Sequence, residues 1–550
     1  MRKINNSMNY LKKINKVFLV GLILIIVALA GTIIFIFKQV EKSSLARRGV
    51  IQVGKCGDGI CDDFEKKNPN LCPSDCQANN STAVTTTASL SLDYSKSLGA
   101  FSPYVFGTNA PPYYDENGYA LLNGLNAKVV WVEAKYTEPT NLNDSSQYNF
   151  TVLDQEVAKA VAIGVEPAIV FSQPTSKPKD LVRYATYIKN VLNHLRNGWG
   201  NGHNWDIKMV RFGNEPDNTA FWETNIEKKV AQSDFFETFA VSAKAAKAVD
   251  PAIIIDGPGI MAVERKGIRN DWIGNFLNYC SSNNVPLDVF SFHTYSIDPY
   301  DFYADAIAVN EELAKYDKIS PLFGKPKLGN DEWNFLLGDL WSGKTAKEFD
   351  TTWTAANNIG ALINMLDQNL YLSNRYGGPF NGKKDGTMSG CHDFLLTDCD
   401  GNGKPAYYAF KGFNELYGTE RLTVDGTDHE NFSAIAGKKD NELIIVLSNY
   451  DIKAYMNKYQ PVASMTTELI KDKMLKNGWP KTYNKFNLKL NNLPWDSSKK
   501  ITYERYLVDD THKLELVESQ ILSGNAEMTF SGDIIAPAVQ IIKVKVNINN

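Results

Sequence analysis

Between Phe101 and Leu416, short apolar runs alternate with amphipathic stretches, and this alternation constrains the fold more than any other feature of the chain. Strand-like runs fall at Val105–Asn109, Lys128–Val132, Glu166–Phe171, Lys208–Gly213, Ile253–Gly257, Val289–His293, Lys327–Asp331 and Leu370–Ser373. Helical patterns lie between and after them, at Asp154–Ile163, Lys179–Leu195, Asp234–Ala248, Asp271–Cys280, Ile307–Tyr316, Thr352–Leu366 and Ala406–Leu416. Parallel strands need a crossover, and a helix is the usual one, so the alternation implies βαβ units. Eight units over about 310 residues fit an α/β fold closed as a (β/α)8 barrel, expected over residues 91–418.

After Gly418 the texture changes. Leu443–Ser448, Phe486–Leu490, Thr502–Leu507, Met528–Ser531 and Val539–Val546 are strand-like, with a minor helix over Val462–Lys476. Lys543 and Lys545 alternate with Val544 and Val546, the period of a half-exposed strand. A β-sandwich is expected over residues 419–550.

The N-terminus speaks to location. Val17–Phe37 is a run of 21 residues without a charge, about 31 Å as a helix and enough to cross a bilayer. It predicts a single-pass anchor at 17–37 with residues 1–16 cytoplasmic and the rest outside the cell membrane. A cleaved signal peptide ending at Ala28-Leu29-Ala30 is the rival, although the apolar run continues beyond that point. Cys56, Cys61, Cys72 and Cys76 then crowd a segment, 55–76, too small for its own core. Disulfides are expected there, with zinc as the alternative, followed by a linker or extended lead-in at 77–90, and residues from about Ala88 onward are expected to add a strand to the sandwich. Cys391 and Cys399 read as a second pair, leaving Cys280 as an odd, buried thiol.

Composition excludes some partners. Lys+Arg 58 against Asp+Glu 62 leaves no basic field to recruit nucleic acid. There is no G-x-G-x-x-G after the first strand and no P-loop, so no nucleotide cofactor is expected. No metal is expected either. Asp398–Gly403 opens like a calcium loop, but Ala409 stands where its last ligand would be Glu, so a plain turn is the expectation.

Polar residues cluster at strand ends, where a barrel of this kind builds its active site. Glu215 ends the fourth strand within Asn214-Glu215-Pro216, and Glu332 ends the seventh, 117 residues on or 39 per βα unit. Two carboxylates facing across a mouth are what glycosidic hydrolysis uses, one as acid and one as nucleophile or base. His293 and Tyr295 end the sixth strand, and Trp222, Trp333 and Tyr295 are candidates for stacking on sugar rings.

These motifs resemble those of the clan of (β/α)8 retaining glycosidases with catalytic glutamates on strands 4 and 7. Gly213–Trp222 is most similar to glycoside hydrolase family 39. The resemblance implies Glu215 as acid/base, Glu332 as nucleophile and Asn214 as a donor to the sugar 2-hydroxyl. It also implies that His293 and Tyr295 line the subsite, with Tyr295 bonded to the nucleophile. One departure is Trp131, where the clan usually has an Arg at the end of strand 2. The expected function is retaining hydrolysis of an oligosaccharide or polysaccharide, with the charge of Glu332 raising the pKa of Glu215. The alternative is a non-catalytic carbohydrate-binding or adhesion protein on the same barrel.

Overall fold

The computed structural model describes residues 86–547, apart from 110–115, 136–138, 173, 219–231, 262, 264–271, 336–346, 381–392 and 460–464. The 17–37 run, the cysteine-rich segment, Trp222 and Cys391 therefore lie outside the described residues. Among those described, no helix is long and apolar enough to cross a membrane. All of them belong to one compact unit, Ser81–Asn550.

The chain opens on β1 (Thr86–Ala100) and then builds the barrel from β2 (Gly107–Asn109), β3 (Val129–Ala134), β4 (Glu166–Phe171), β5 (Met209–Phe212), β6 (Ile254–Ile260), β7 (Val289–Tyr295), β8 (Lys327–Asn334) and β9 (Leu370–Tyr376). Each pairs in parallel with the next, and β2 closes the ring on β9 through Gly107–Asn374 and Thr108–Arg375. Eight helices follow in turn: α1 (Glu116–Gly124), α2 (Thr151–Ala162), α3 (Leu181–Asn197), α4 (Gln232–Val249), α5 (Trp272–Ser282), α6 (Pro299–Leu313), α7 (Thr352–Leu366) and α8 (Pro405–Phe413). The expected barrel is thus present.

Local chemistry sets these boundaries. The Asp180 side chain accepts from Arg183 N to start α3, and Gly198, at φ 73°, ends it in the left-handed conformation that glycine tolerates. Inside the barrel, Val129, Trp131, Ala168, Met209, Ile254, Val289 and Leu372 form one apolar cluster. They come from six of the eight strands, as layered barrel filling requires. At 398–403 the chain turns, with the Asp398 carboxylate accepting from Asp400 N and Asn402 N. Cys280 is a buried free thiol, as the odd count suggested.

The second domain adds β10 (Glu420–Asp425), β11 (Phe432–Lys439), β12 (Glu442–Asn449), β13 (Tyr483–Asn491), β14 (Lys500–Val508), β15 (Lys513–Ser523), β16 (Met528–Asp533) and β17 (Ala538–Val546). With β1 they form one sheet in the order β15-β14-β17-β12-β11-β10-β1-β13-β16. Tyr503 of β14 stacks on Phe530 of β16 at 4.3 Å although these strands are near opposite ends of the order, so the sheet folds over a shared core as a sandwich does. One boundary is corrected. Residues 86–90, expected in a linker, and 91–100, expected in the barrel, are β1, held between β10 and β13. Ala88, Leu90 and Leu92 bury every second position, while the intervening Ser and Thr make the stretch resemble a linker. Helix α7 is buried along its whole length, and Asn364 and Ala356 accept from Ser433 and Ser448 of the sheet, so the sandwich packs on the barrel wall.

Candidate active site

Glu215 stands where β5 breaks. Gly213 has φ 101°, and a Cβ there would meet Pro258 O at 2.6 Å, so the chain turns where only glycine fits. Glu215 itself is left-handed at φ 47°, pinned by its N–H to Gly259 O at 2.7 Å. A non-glycine residue held there stores strain, and such strain concentrates at functional positions. The carboxylate is buried and accepts twice, at 2.8 Å from His293 Nδ1 and at 2.8 Å from Asn218 Nδ2. Glu332 ends β8 opposite His293 in register, and the Tyr295 hydroxyl donates to its Oε1 at 2.7 Å. Ligand-type atoms of Glu215, His293 and Glu332 all lie within 4.8 Å of one another. The two glutamates therefore face each other at the barrel mouth.

Protons in this cluster do not lie where the sequence placed them. Burial pushes the Glu215 carboxyl up, but the hydrogen bond and charge of His293, the Asn218 amide and the Arg211 charge outweigh it and hold the group below its ordinary value. The expected rise from Glu332 is thus overturned by donors that the fold supplies. Burial alone would lower His293. The charge of Glu332 and hydrogen bonds to Asp331 and Glu215 instead raise it to about 10, so the imidazole carries the proton. Burial and the charge of Glu332 push the Tyr295 hydroxyl well up, so it remains a donor.

Behind His293 lies a buried ionic group that the sequence reading missed. Arg211 Nε pairs with Asp331 Oδ2, and both side chains are almost fully enclosed. Arg211 Nη2 donates to Asn214 Oδ1 at 3.0 Å and lies 3.1 Å from His293 Nε2. Asp331 Oδ1 is 3.4 Å from the same nitrogen. Asp331 favours a proton on Nε2 and Arg211 disfavours it, so the pair tunes the imidazole. Burial, followed by the charge of Asp331, pushes Asp256 well up, and it sits neutral beside them. A Cβ on Gly259, at φ 64°, would lie 2.4 Å from Arg211 Nη2 and 3.1 Å from His293 Nε2. The sequence signal was available: an Arg inside the apolar run Met209–Phe212 needs a buried counter-charge.

The other expected residues divide. Asn214 is at the site and half-buried, oriented by Arg211. Trp333 is not a sugar platform. Its side chain is fully buried, donates Nε1–H to Ser373 Oγ at 3.0 Å and packs against Phe302 and Phe410. Strand alternation explains the correction, because a Glu332 turned into the mouth turns its neighbour out to the helices. Trp131, at the position where an Arg was looked for, is buried beneath Arg211, whose guanidinium lies 5.7 Å from its ring. The site's arginine comes from β5.

An eight-stranded parallel barrel with opposed glutamates at the ends of its fourth and seventh strands belongs to the clan of barrel glycosidases. The profile of glycosyl hydrolases family 39 matches residues 147–471, more than half of the chain, and the chain belongs to that family. A second profile, RET, Cysteine Rich Domain, matches residues 39–102. A β-xylosidase of Caldicellulosiruptor saccharolyticus is 24% identical over 324 residues, 57% of this chain and 61% of that protein. A β-xylosidase of Geobacillus stearothermophilus is 29% identical over 168 residues, 27% of this chain and 31% of that protein. The matches thus span less than two thirds of either relative. Among solved structures, a glucosidase from Croceicoccus marinus superposes with a TM-score of 0.64 at 21% identity, covering 84% of this chain and 99% of its own. A monomeric β-xylosidase from Caulobacter crescentus gives 0.59 at 16% identity, covering 84% and 99%. At these identities the structural likeness speaks to the fold.

Proposed function

We propose that this protein is a membrane-tethered, extracellular, retaining glycoside hydrolase that cleaves O-glycosidic bonds of an oligosaccharide or polysaccharide, with β-xylosides the first class to test. The approach of Glu215 and Glu332 within 4.8 Å carries the proposal, since retaining enzymes hold their carboxyls about 5–5.5 Å apart and inverting ones about 6.5–9.5 Å. Names of family relatives favour xylosides. The apolar run at 17–37 and the cysteine-rich segment support the tether and an oxidising exterior.

In the mechanism we favour, Glu332 attacks the anomeric carbon while Tyr295 holds its other lone pairs in place. Glu215 and His293 share one proton across 2.8 Å. Substrate excludes water from the mouth, which disfavours the charge-separated pair, and the proton passes from Nδ1 to the carboxylate and on to the departing oxygen. The pair is then a neutral imidazole and a carboxylate. Glu215 takes a proton from water as that water attacks the glycosyl-enzyme, which releases Glu332 and restores the starting pair. Asn214, oriented through its Oδ1, donates from its amide to the sugar 2-hydroxyl.

The test uses aryl β-xylosides and xylo-oligosaccharides. Glu332→Ala is expected to abolish turnover on both. Glu215→Ala is expected to lose about 10²–10⁴-fold on the oligosaccharides, keep the first step on aryl glycosides with good leaving groups, and form a glycosyl azide when azide is added. Equal loss on both substrate types, with no azide product, would remove Glu215 from its role.

A further inference from the structure

In a (β/α)8 barrel the connections leading from helix to strand lie on the face opposite the mouth. On the connection from α3 to β5, Asp154, His194 and His203 converge. Asp154 is in the first turn of α2 and His194 in the last turn of α3. Beyond α3 the chain folds back on the helix end, with Trp199 N donating to Asn193 O and His203 N donating to His194 O at 2.6 Å. A Cβ on Gly202 would lie 2.1 Å from His194 O and 2.6 Å from His194 Nδ1, so only glycine permits this approach. The result is His203 Nε2 at 3.5 Å from Asp154 Oδ2, with His194 Nε2 at 3.0 and 3.2 Å from the two Asp154 oxygens.

Both imidazoles are clamped. Phe150 stacks on His194 at 3.6 Å, Trp205 stacks on His203 at 3.7 Å, and the two imidazole planes stand 87° apart. His194 Nδ1 lies 2.9 Å from Trp199 O. A carbonyl only accepts, so Nδ1 carries the hydrogen and donates. That leaves Nε2 turned to the Asp154 carboxylate, the direction from which a ring nitrogen ligates a cation held between the two. A histidine that gives its outer N–H to a backbone carbonyl is the usual arrangement around a metal. Zinc bonds of about 2.0–2.2 Å in a tetrahedron separate donor atoms by about 3.3 Å, against 3.0 and 3.5 Å here. His203 and Asp154 side chains are 36% and 27% exposed, which leaves solvent a fourth position.

We propose that Asp154, His194 and His203 form a binding site for a zinc-class transition metal, stapling α2, α3 and the entry to β5. Two imidazoles with one carboxylate suit zinc better than calcium or magnesium. The sequence reading assigned no metal, because the donors are 40 and 9 residues apart and follow no zinc spacing.

The untagged full chain, stripped with a chelator and dialysed against zinc, is expected to retain one zinc per chain by elemental analysis and to melt at a higher temperature than the stripped protein. Cobalt in place of zinc is expected to give the intense visible bands of a tetrahedral ion. His203→Ala removes a part-exposed ligand and Asp154→Asn an isosteric one; each is expected to weaken zinc binding by more than about 100-fold. Glu215→Gln dismantles the acid–histidine–acid group at the mouth and is expected to keep the one zinc. Retention of no zinc by the folded wild type overturns the proposal. So does binding that survives both ligand variants, or that disappears in Glu215→Gln.

Discussion

Replacing Arg211 by Met probes the ionic group behind the site, and its effect follows from burial. The Arg211 and Asp331 side chains are 4% and 0% exposed, so the variant leaves a carboxylate in a water-free interior. Breaking such a pair typically costs about 3–5 kcal/mol, a large part of a total stability of about 5–15 kcal/mol. At a urea slope of about 3 kcal/mol per molar, the unfolding midpoint at pH 7 should fall by about 1–2 M. Burial pushes Asp331 up, and Arg211 with His293 more than offsets this, so its folded pKa lies below its ordinary value. In the wild type, the stability it contributes is present above the ordinary carboxylate range and lost as pH falls through the folded value. Without Arg211, burial wins and the folded value rises, so the variant's deficit should be largest at neutral pH and shrink as Asp331 takes up a proton. Arg211→Met with Asp331→Asn removes both charges and should recover most of the midpoint. Urea titrations followed by tryptophan fluorescence at pH 7 and pH 5 measure all three quantities. A single variant as stable as wild type at pH 7, or a double variant no better than the single, would refute the reasoning.

Tyr295→Phe removes the 2.7 Å hydrogen bond to Glu332; a bond to a charged group is worth about 1.5–3 kcal/mol, so kcat/KM should fall by up to about 10–150-fold while the melting temperature falls by only a few degrees. An unchanged kcat/KM would detach Tyr295 from the nucleophile. Trp333→Ala empties a core position and should destabilise the protein by about 3–5 kcal/mol in urea, with KM unchanged in the fraction that folds. A raised KM at wild-type stability would return Trp333 to the sugar.

The barrel was legible because its period is local. Glu166–Phe171 and Thr352–Leu366 were read with the bounds the structure has, since a buried strand and a buried helix announce themselves within one window. Tyr295 against Glu332 was also foreseen, through family resemblance. β1 was read only in part, as a sandwich strand from about Ala88, and its bounds were misdrawn because its partners β10 and β13 lie more than 300 residues along the chain and its exposed face is Ser and Thr. The proton on His293 could not be read either, since it depends on Glu332, Asp331 and Glu215 meeting one imidazole from two other strands. Trp333 was misplaced because adjacency in sequence to Glu332 does not put it on the same face: Asp331 and Glu332 both reach His293 beside a break in register, while Trp333 turns out to Ser373, Phe302 and Phe410.

The most direct test of the account is the anomeric configuration of the first sugar released, followed by NMR before mutarotation scrambles it. A β-xyloside or other susceptible β-glycoside should give the β-anomer first, because Glu332 and then water each invert the same carbon. The α-anomer appearing first would mean a single displacement, and would contradict both the nucleophile assigned to Glu332 and the functional meaning given to the short Glu215–Glu332 approach.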